Sequence, residues 1–333
     1  MQQDQTEQPT APQSAATDAV AEELRNALTR LPRTLPPRWL YDDRGSELFS
    51  QITGVPEYYQ TEAERSILAD HSASIAELTE ATTVVELGSG TSDKTRTLLD
   101  AFVAHGLIER FVPLDVSEAT LLDASEMLAE RHPTIAVEPV VGDFTRHLHR
   151  LGDVDSAGPR LVMFLGGTIG NFYVEERRAF LGALSDVLRP GDWLLIGMDR
   201  LKPVDRLIAA YDDADGVTEA FIRNALTNIN ATYGGDIAVD NFGYVPFWDG
   251  RQLRIDMRLR AEEPMTARLD ALDLDLALSA GEEIRVEISS KFAPEHLLAD
   301  LAEAGFGTPG DVSSQHVFSD ADADFAVLLA RRG

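Results

Sequence analysis

Cysteine is absent from this sequence of 333 residues, which excludes disulfides and thiolate metal sites and makes a cytoplasmic location the simplest expectation. Basic residues are scarce, since 29 lysines and arginines face 56 acidic residues and the formal net charge is -27. Such a surface repels phosphate backbones, and no basic cluster offsets it, so we expect no nucleic-acid partner. No apolar run approaches the ~18 residues that span a bilayer, so we expect no membrane partner either.

The N-terminus lacks the basic and apolar regions of a secretory signal. Because residues 1–18 are rich in Gln, Thr, Ala and Pro, we predict a disordered lead-in there. The seven histidines show no metal-ligand spacing, so no metal is expected. With 44% hydrophobic and 26% charged residues, the composition is typical of a globular enzyme, and the length favours two lobes.

Short apolar strands alternate with helical stretches between residues 83 and 198. The predicted strands are 84–87, 111–114, 135–141, 161–165 and 193–196. This alternation is typical of a parallel, doubly wound α/β sheet. Residues 199–283 do not continue this alternation, and they indicate an inserted α+β lobe that contains a helical run with Tyr211. A terminal helix (294–304) and two strands (315–318 and 325–330) then return the chain to the first sheet.

The first strand runs into the turn Gly88-Ser89-Gly90, and a helix follows. Glycines let a backbone turn sharply and approach a ligand closely, and in doubly wound sheets this turn lies where ligands bind. A dinucleotide site favours a third glycine where this chain has Asp93, whose carboxylate would repel phosphate. The pattern therefore disfavours a nicotinamide dehydrogenase and favours a cofactor without phosphate.

Polar and aromatic residues follow several strand ends. We expect Glu86 to face the ammonium end of a methionine-derived ligand. Asp115 can accept both ribose hydroxyls, or alternatively cap the helix that follows. Asp143 and Phe144 are suited to the amino group and the face of an adenine. Gly166, after the fourth strand, indicates close backbone approach beside the methyl-donor end.

These motifs resemble the class I S-adenosylmethionine methyltransferases and, within them, the histidine-specific N-α-methyltransferases of ergothioneine biosynthesis. The similarity extends from about residue 19 to 332. The motifs that carry it are Trp39-Leu40-Tyr41-Asp42, Pro56-Glu57-Tyr58-Tyr59, Val85-Glu86-Leu87-Gly88-Ser89-Gly90-Thr91-Ser92, Phe164-Leu165-Gly166-Gly167-Thr168-Ile169-Gly170-Asn171, Ala210-Tyr211-Asp212-Asp213, Gly281-Glu282-Glu283 and Glu287-Ile288-Ser289-Ser290-Lys291-Phe292. The resemblance implies a Rossmann-like class I methyltransferase sheet with an inserted α+β substrate-binding lobe. In that scheme 19–60 and 199–286 bind histidine, and 61–198 and 287–333 bind S-adenosylmethionine.

The resemblance also implies roles for individual residues. The residues implied to contact the cofactor are Gly88, Lys94, Asp115, Asp143 and Phe144. Those implied to contact histidine are Asn171 and Tyr211 at the carboxylate, Gly166 near the amine, Tyr58, Glu287 and Ser289 at the imidazole, and Met257 packed beside the ring. Tyr41 is implied to lie close to both cofactor and amine, and we assign it a positioning part in catalysis.

The implied activity is the transfer of three methyl groups from S-adenosylmethionine to the α-amino nitrogen of L-histidine, giving N,N,N-trimethylhistidine (hercynine), the first step of ergothioneine biosynthesis. We expect a monomer acting on a small molecule. Two alternatives stay open: a related enzyme acting on another amino acid such as tryptophan, and a nucleoside-binding module without turnover. By spacing alone, Tyr58, Tyr211 and Met257 would be packing residues, and Glu287 would lie on the solvent face of a strand.

Overall fold

The computed structural model describes the backbone of residues 11–90 and 92–333, with the side chains of 18–90, 92 and 94–333. Contacts divide the chain into two units. The first comprises the described residues up to Glu57 with Ile208–Trp248 and Asp256–Ile288, and the second comprises Tyr58–Leu207, Asp249–Ile255 and Ser289–Gly333. These bounds differ from the predicted lobes, because 58–60, 199–207 and 249–255 belong to the second unit and 287–288 to the first.

Helices and strands cover most of the described chain. The α-helices are α1 (Ala11–Thr29), α2 (Asp43–Ile52), α3 (Gln60–Thr79), α4 (Asp93–Ala104), α5 (Glu118–Arg131), α6 (Phe144–His147), α7 (Val174–Val187), α8 (Val204–Ala209), α9 (Val217–Tyr233) and α10 (Pro294–Glu303). The strands are β1 (Arg33–Thr34), β2 (Thr83–Leu87), β3 (Arg110–Asp115), β4 (Ala136–Val137), β5 (Val140–Val141), β6 (Arg160–Phe164), β7 (Trp193–Asp199), β8 (Phe242–Asp249), β9 (Arg254–Ala261), β10 (Met265–Leu269), β11 (Leu274–Leu278), β12 (Glu283–Ser290), β13 (Gln315–Ser319) and β14 (Phe325–Arg331). Short 3-10 helices cover Pro37–Leu40, Leu148–Asp153, Thr168–Asn171, Val239–Asn241 and Asp270–Leu272.

The N-terminal prediction is wrong over residues 11–18, because these residues are helical and belong to α1. Alanine is the strongest helix former, and Ala11, Ala15 and Ala16 extend the helix toward the N-terminus. Residues 1–10 of the predicted lead-in lie outside the described residues.

The second unit is built on one sheet whose strand order is β13-β14-β7-β6-β2-β3-β4, with β5 also paired to β3. Strands β2, β3, β6 and β7 are parallel, and β14 is antiparallel to β7 and β13. Both faces are apolar: Val85 and Leu87 belong to one buried cluster, while Val84 belongs to another. The chain leaves β2 toward β3 on one side and later adds β6 on the other, which creates the switch point where ligands bind. This confirms the Rossmann-like sheet.

The predicted third strand over 135–141 is wrong as a single element, because it is split into β4 and β5. Ala136 pairs with Arg110 and Val140 pairs with Leu114 of β3, so both pieces follow the same neighbour. Pro139 stands between them and has no N–H to donate, which interrupts the ladder.

The first unit combines helices with a four-stranded sheet of order β1-β12-β9-β8 and a β10-β11 hairpin. Helix α9 packs against α2 and buries Phe221, Ile222 and Leu226. The inserted α+β lobe is therefore confirmed. One detail is corrected: Tyr211 lies in a turn beyond the end of α8 at Ala209, not within a helix. Among the described residues, no helix is both long and apolar enough to cross a bilayer.

Candidate active site

The turn between β2 and α4 carries the glycine motif. Gly88 and Gly90 have φ angles of +70° and +49°, a left-handed backbone that favours glycine. The N–H groups of Gly88 and Ser89 donate to the Leu114 carbonyl at 2.8 and 3.1 Å, which ties the turn to the end of β3. The Ser89 hydroxyl is buried and has no hydrogen-bond partner within the described chain. Buried hydroxyls normally have partners, so this one is suited to a polar group of a ligand.

Asp115 closes the same turn from the last position of β3. One carboxylate oxygen accepts from the Gly90 N–H at 2.8 Å, and the other accepts from the Ser117 N–H at 2.9 Å. The alternative in which Asp115 caps α5 is wrong, because the cap position of that helix is Ser117. A carboxylate offers about four acceptor positions, so each oxygen can still accept a hydroxyl proton from a ribose.

Asp143 and Phe144 follow β5. Asp143 accepts from the Thr145 N–H at 2.8 Å and caps α6. Phe144 is half-buried and packs edgewise on Phe164, with ring centroids 5.1 Å apart. A Cβ built on Gly88 would contact the Phe144 ring at 3.5 Å, so the glycine turn and this ring are neighbours. The structure thus brings the predicted cofactor residues of β2, β3 and β5 to one edge of the sheet.

Lys94 is held at this edge by Glu64 of α3, a residue that was not predicted from the sequence. The Lys94 ammonium donates to Glu64, whose carboxylate also accepts from the Gly166 N–H at 2.9 Å. Glu64 is fully buried, and a Cβ on Gly197 would overlap its Oε1 at 2.0 Å. In the sequence, Glu64 could have been recognised as an acidic residue on a helix face where its neighbours, Ile67 and Leu68, are apolar. One buried carboxylate therefore joins the predicted cofactor lysine to the predicted substrate glycine.

Glu86 does not lie open to a ligand, contrary to expectation. Its side chain accepts from the hydroxyls of Ser92, at 3.2 Å, and Thr95, and only 4% of the residue is exposed. Burial raises its pKa to about 7, although these hydroxyls and the Lys94 charge act in the opposite direction. Glu86 therefore stabilises the start of α4 beneath the turn.

The turn after β6 brings Gly166 and Asn171 toward the end of β12. Gly166 has a φ of +76°, and its N–H is occupied by Glu64, so its carbonyl is the group left to face an amine. Asn171 ends the 3-10 helix Thr168–Asn171. A Cβ on Gly170 would lie 2.8 Å from the Ser290 carbonyl oxygen and 3.5 Å from the Ser289 hydroxyl. Ser289 is thus a neighbour of this turn.

Four predicted or newly found residues lie together in the first unit. Met257 on β9 and Glu287 on β12 occupy adjacent strands, and both are buried. Burial raises the pKa of Glu287 to about 8, so the solvent-face alternative is wrong. The Tyr244 hydroxyl, which was not predicted, donates to the Tyr211 carbonyl at 2.7 Å. Burial and then neighbouring groups that include Tyr211 and Glu287 raise the pKa of Tyr244 well above its ordinary value.

Tyr41 and Tyr58, both predicted site residues, lie next to the ends of helices. Tyr41 follows the 3-10 helix Pro37–Leu40, is 37% exposed, and packs edgewise on Phe49 and Phe221. Tyr58 is half-buried and immediately precedes Tyr59, the cap residue of α3.

The second-unit residues fit a nucleoside cofactor that carries no phosphate. The Ser89 hydroxyl, the remaining acceptor positions of Asp115 and the half-buried ring of Phe144 match polar, ribose and base contacts respectively. At the start of α4, where dinucleotide enzymes bind pyrophosphate, the sequence has the acid Asp93. Sheet order and site together define a Rossmann-like domain of the S-adenosylmethionine-dependent methyltransferase class.

Comparison with known proteins identifies the family within this class. The family model described as histidine-specific methyltransferase, SAM-dependent, matches residues 20–332. The histidine N-alpha-methyltransferase of Mycolicibacterium smegmatis is 45% identical over 318 residues, covering 96% of each chain. That of Mycobacterium tuberculosis is 43% identical over 314 residues, 94% of this chain and 95% of the relative. Ergothioneine biosynthesis protein 1 of Schizosaccharomyces pombe is 36% identical over 215 residues, 62% of this chain and 28% of that protein.

The chain therefore belongs to the family of histidine-specific, S-adenosylmethionine-dependent methyltransferases. The resemblance drawn from the sequence motifs is confirmed, as are the enzyme class and the cofactor.

Proposed function

We propose that this enzyme transfers three methyl groups from S-adenosylmethionine to the α-amino nitrogen of L-histidine. The product is N,N,N-trimethylhistidine (hercynine), and the reaction is the first step of ergothioneine biosynthesis. The observation that carries this proposal is Glu287, a carboxyl group 7% exposed within the α+β lobe. A carboxyl group can donate or accept a hydrogen bond, which suits it to a ring nitrogen of an imidazole.

The ring is recognised by groups that distinguish imidazole from other aromatic side chains. Imidazole has two nitrogens, of which one donates and the other accepts. Tyr58 serves one nitrogen, and Glu287 with Ser289 serves the other, while Met257 packs beside the ring. Because its pKa is raised to about 8, Glu287 keeps its proton at neutral pH and can both donate and accept. Such a site favours imidazole over apolar rings, which offer these groups neither a donor nor an acceptor.

The backbone of the amino acid is held at its carboxylate and at its amine. Asn171 and Tyr211 bind the carboxylate, and the Gly166 carbonyl accepts a hydrogen bond from the amine. The Gly166 N–H cannot serve this purpose, because it already donates to Glu64. Gly88, Lys94, Asp115, Asp143 and Phe144 hold the cofactor.

When bound, the cofactor supplies an electrophilic methyl group. The enzyme contributes mainly by holding the amine lone pair at near-attack distance, an effect worth up to ~7–11 kcal/mol. The amine must lose a proton before each of the three attacks. Tyr41 orients the amine by accepting a hydrogen bond, and because a neutral phenol is a poor base, water takes the proton.

We also propose a monomeric, cytoplasmic enzyme that acts on free amino acid. The net charge of -27 supports a small-molecule substrate rather than a nucleic acid. Sedimentation at several protein concentrations tests the monomer, and a species of twice the mass would contradict it.

The function is tested by incubating the protein with S-adenosylmethionine and each of the twenty amino acids separately, followed by mass spectrometry. We expect histidine alone to react and to end with three methyl groups on the α-nitrogen. Methylation on the ring, arrest at one methyl group, or preference for tryptophan contradicts the proposal. Cofactor binding without any product would indicate a binding module. Glu287→Ala should abolish histidine turnover and keep cofactor binding, whereas Glu283→Ala on the same strand is the matched control.

A further inference from the structure

A buried ionic cluster lies at the carboxyl end of β7, outside the residues described so far. Asp199, the last residue of β7, accepts from Lys291 at 2.7 Å, from Lys202, and from the Tyr59 hydroxyl at 2.8 Å. Both lysine side chains are almost completely buried. Burial lowers the pKa of each lysine, and the Asp199 charge opposes that shift. Burying two ammonium groups on one carboxylate is expensive, so stability alone is a weak reason for the cluster.

The two lysines differ in what else they contact. Lys202 turns to Tyr59, with its ammonium 4.2 Å from the ring centroid. Lys291 instead donates to the Ser289 hydroxyl oxygen at 2.7 Å. Asp199 and Ser289 are thus bridged by a single ammonium group.

The hydrogen bond between Lys291 and Ser289 has a defined donor and a defined acceptor. An ammonium group has three donors and no acceptor, so the serine oxygen must accept in the bond between Lys291 and Ser289. A hydroxyl that accepts from a cation becomes a stronger donor through its own O–H. The turn that contains Gly170 and Asn171 lies against the same serine, so this hydroxyl is held at the substrate side of the sheet.

We propose that Lys291 is a positioning residue for substrate recognition: anchored by Asp199, it holds the Ser289 oxygen in place and polarises its O–H toward the unprotonated ring nitrogen of the substrate. The inference rests on the proposed function, in which Ser289 binds the imidazole. It adds that the ring is bound in its neutral form, because a polarised donor and a nearby ammonium both disfavour an imidazolium. Lys202, which shares Asp199 and turns to Tyr59, has no such part.

The test is a double-mutant cycle with Lys291→Met, Ser289→Ala and the combined variant. Lys291→Met should raise the histidine KM roughly tenfold, the usual size of one charge-assisted hydrogen bond, while cofactor affinity by calorimetry changes less than about twofold. In the Ser289→Ala background the same change should add less than about twofold, because the lysine acts through the serine. Lys202→Met is the matched control: it removes the other buried cation from Asp199 and should lower the melting temperature without raising the histidine KM.

Equal increases in KM with and without Ser289, or an equal increase in Lys202→Met, would show that Lys291 only stabilises the fold and would overturn the proposal. If Lys291→Met does not fold, Lys291→Gln places a neutral donor there that lacks the polarising charge, and a histidine KM equal to that of wild type in this variant overturns the proposal. Failure of the proposed function is seen separately, since wild-type enzyme would then not trimethylate histidine. If wild type does so and Ser289→Ala raises the KM, an unchanged Lys291→Met rejects the positioning role alone.

Discussion

Replacing Asp115 with alanine tests the cofactor edge most directly. In the ligand-free protein this carboxylate already accepts two backbone N–H groups, from Gly90 at 2.8 Å and Ser117 at 2.9 Å. Each oxygen can accept one further hydrogen bond, so a bound ribose adds two bonds to hydroxyl groups. Asp115→Ala therefore removes two bonds from the free protein and four from the complex.

The magnitude follows from this difference. The two backbone bonds are lost in both states and largely cancel in the binding free energy. The two ribose bonds are lost only from the complex, and bonds to a charged acceptor contribute about 1.5–3 kcal/mol each when fully buried. Asp115 is only half-buried, so water replaces part of the loss. We therefore expect weaker cofactor binding by ~1–3 kcal/mol, or about 5- to 150-fold in Kd.

Calorimetry with S-adenosylmethionine on the wild type and Asp115→Ala measures this change. Asp123→Ala is the matched control, because it removes the same charge from an exposed position of α5. A Kd that is equal in Asp115→Ala and wild type would refute the reasoning and leave Asp115 a role only in closing the turn.

Three further predictions concern charge and pH. Glu64→Gln should lower the unfolding free energy and weaken cofactor binding roughly tenfold, because the Lys94 ammonium loses its carboxylate; urea unfolding and calorimetry that both match wild type would contradict this. The folded-state pKa of Glu287, about 8, exceeds the ordinary 4.5, so its stabilising contribution is fully present below pH ~4.5 and is lost as the pH rises through 8. Glu287→Gln cannot ionise and should therefore gain stability relative to wild type between pH 5 and 8.5, and a constant difference in urea unfolding would argue against a buried acid. At limiting histidine the wild-type rate should rise with pH as the ammonium form of the substrate is depleted, and a flat profile would mean that deprotonation does not limit the reaction.

Much of the cofactor edge follows from local sequence patterns. Apolar strands, the glycine turn and the acid at the end of the second strand each occupy a few consecutive residues, and parallel strands bring their carboxyl ends to one edge. Gly88, Asp115, Asp143 and Phe144 therefore lie at this edge, and their contact with the cofactor stays a prediction. The substrate residues are different: Tyr58, Tyr211, Met257 and Glu287 have no local signal that separates them from packing residues. They were identified by resemblance, and their role in binding histidine stays a prediction.

Tertiary structure alone decided which distant residues share a site. Glu64 meets Gly166 across 102 positions of sequence, and Lys291 meets Asp199 across 92, distances over which no periodicity extends. The sequence patterns also suggested that Glu86 is accessible to a ligand. The structure instead buries it at the start of α4, where it accepts hydrogen bonds from the Ser92 and Thr95 hydroxyls. Hydrophobic periodicity determines which face of an element is buried, and the topology of the sheet determines which polar groups meet on the buried side. The sequence by itself therefore determined most of the strands, the turn and the class of cofactor, and only the folded chain determined the polar network beneath them.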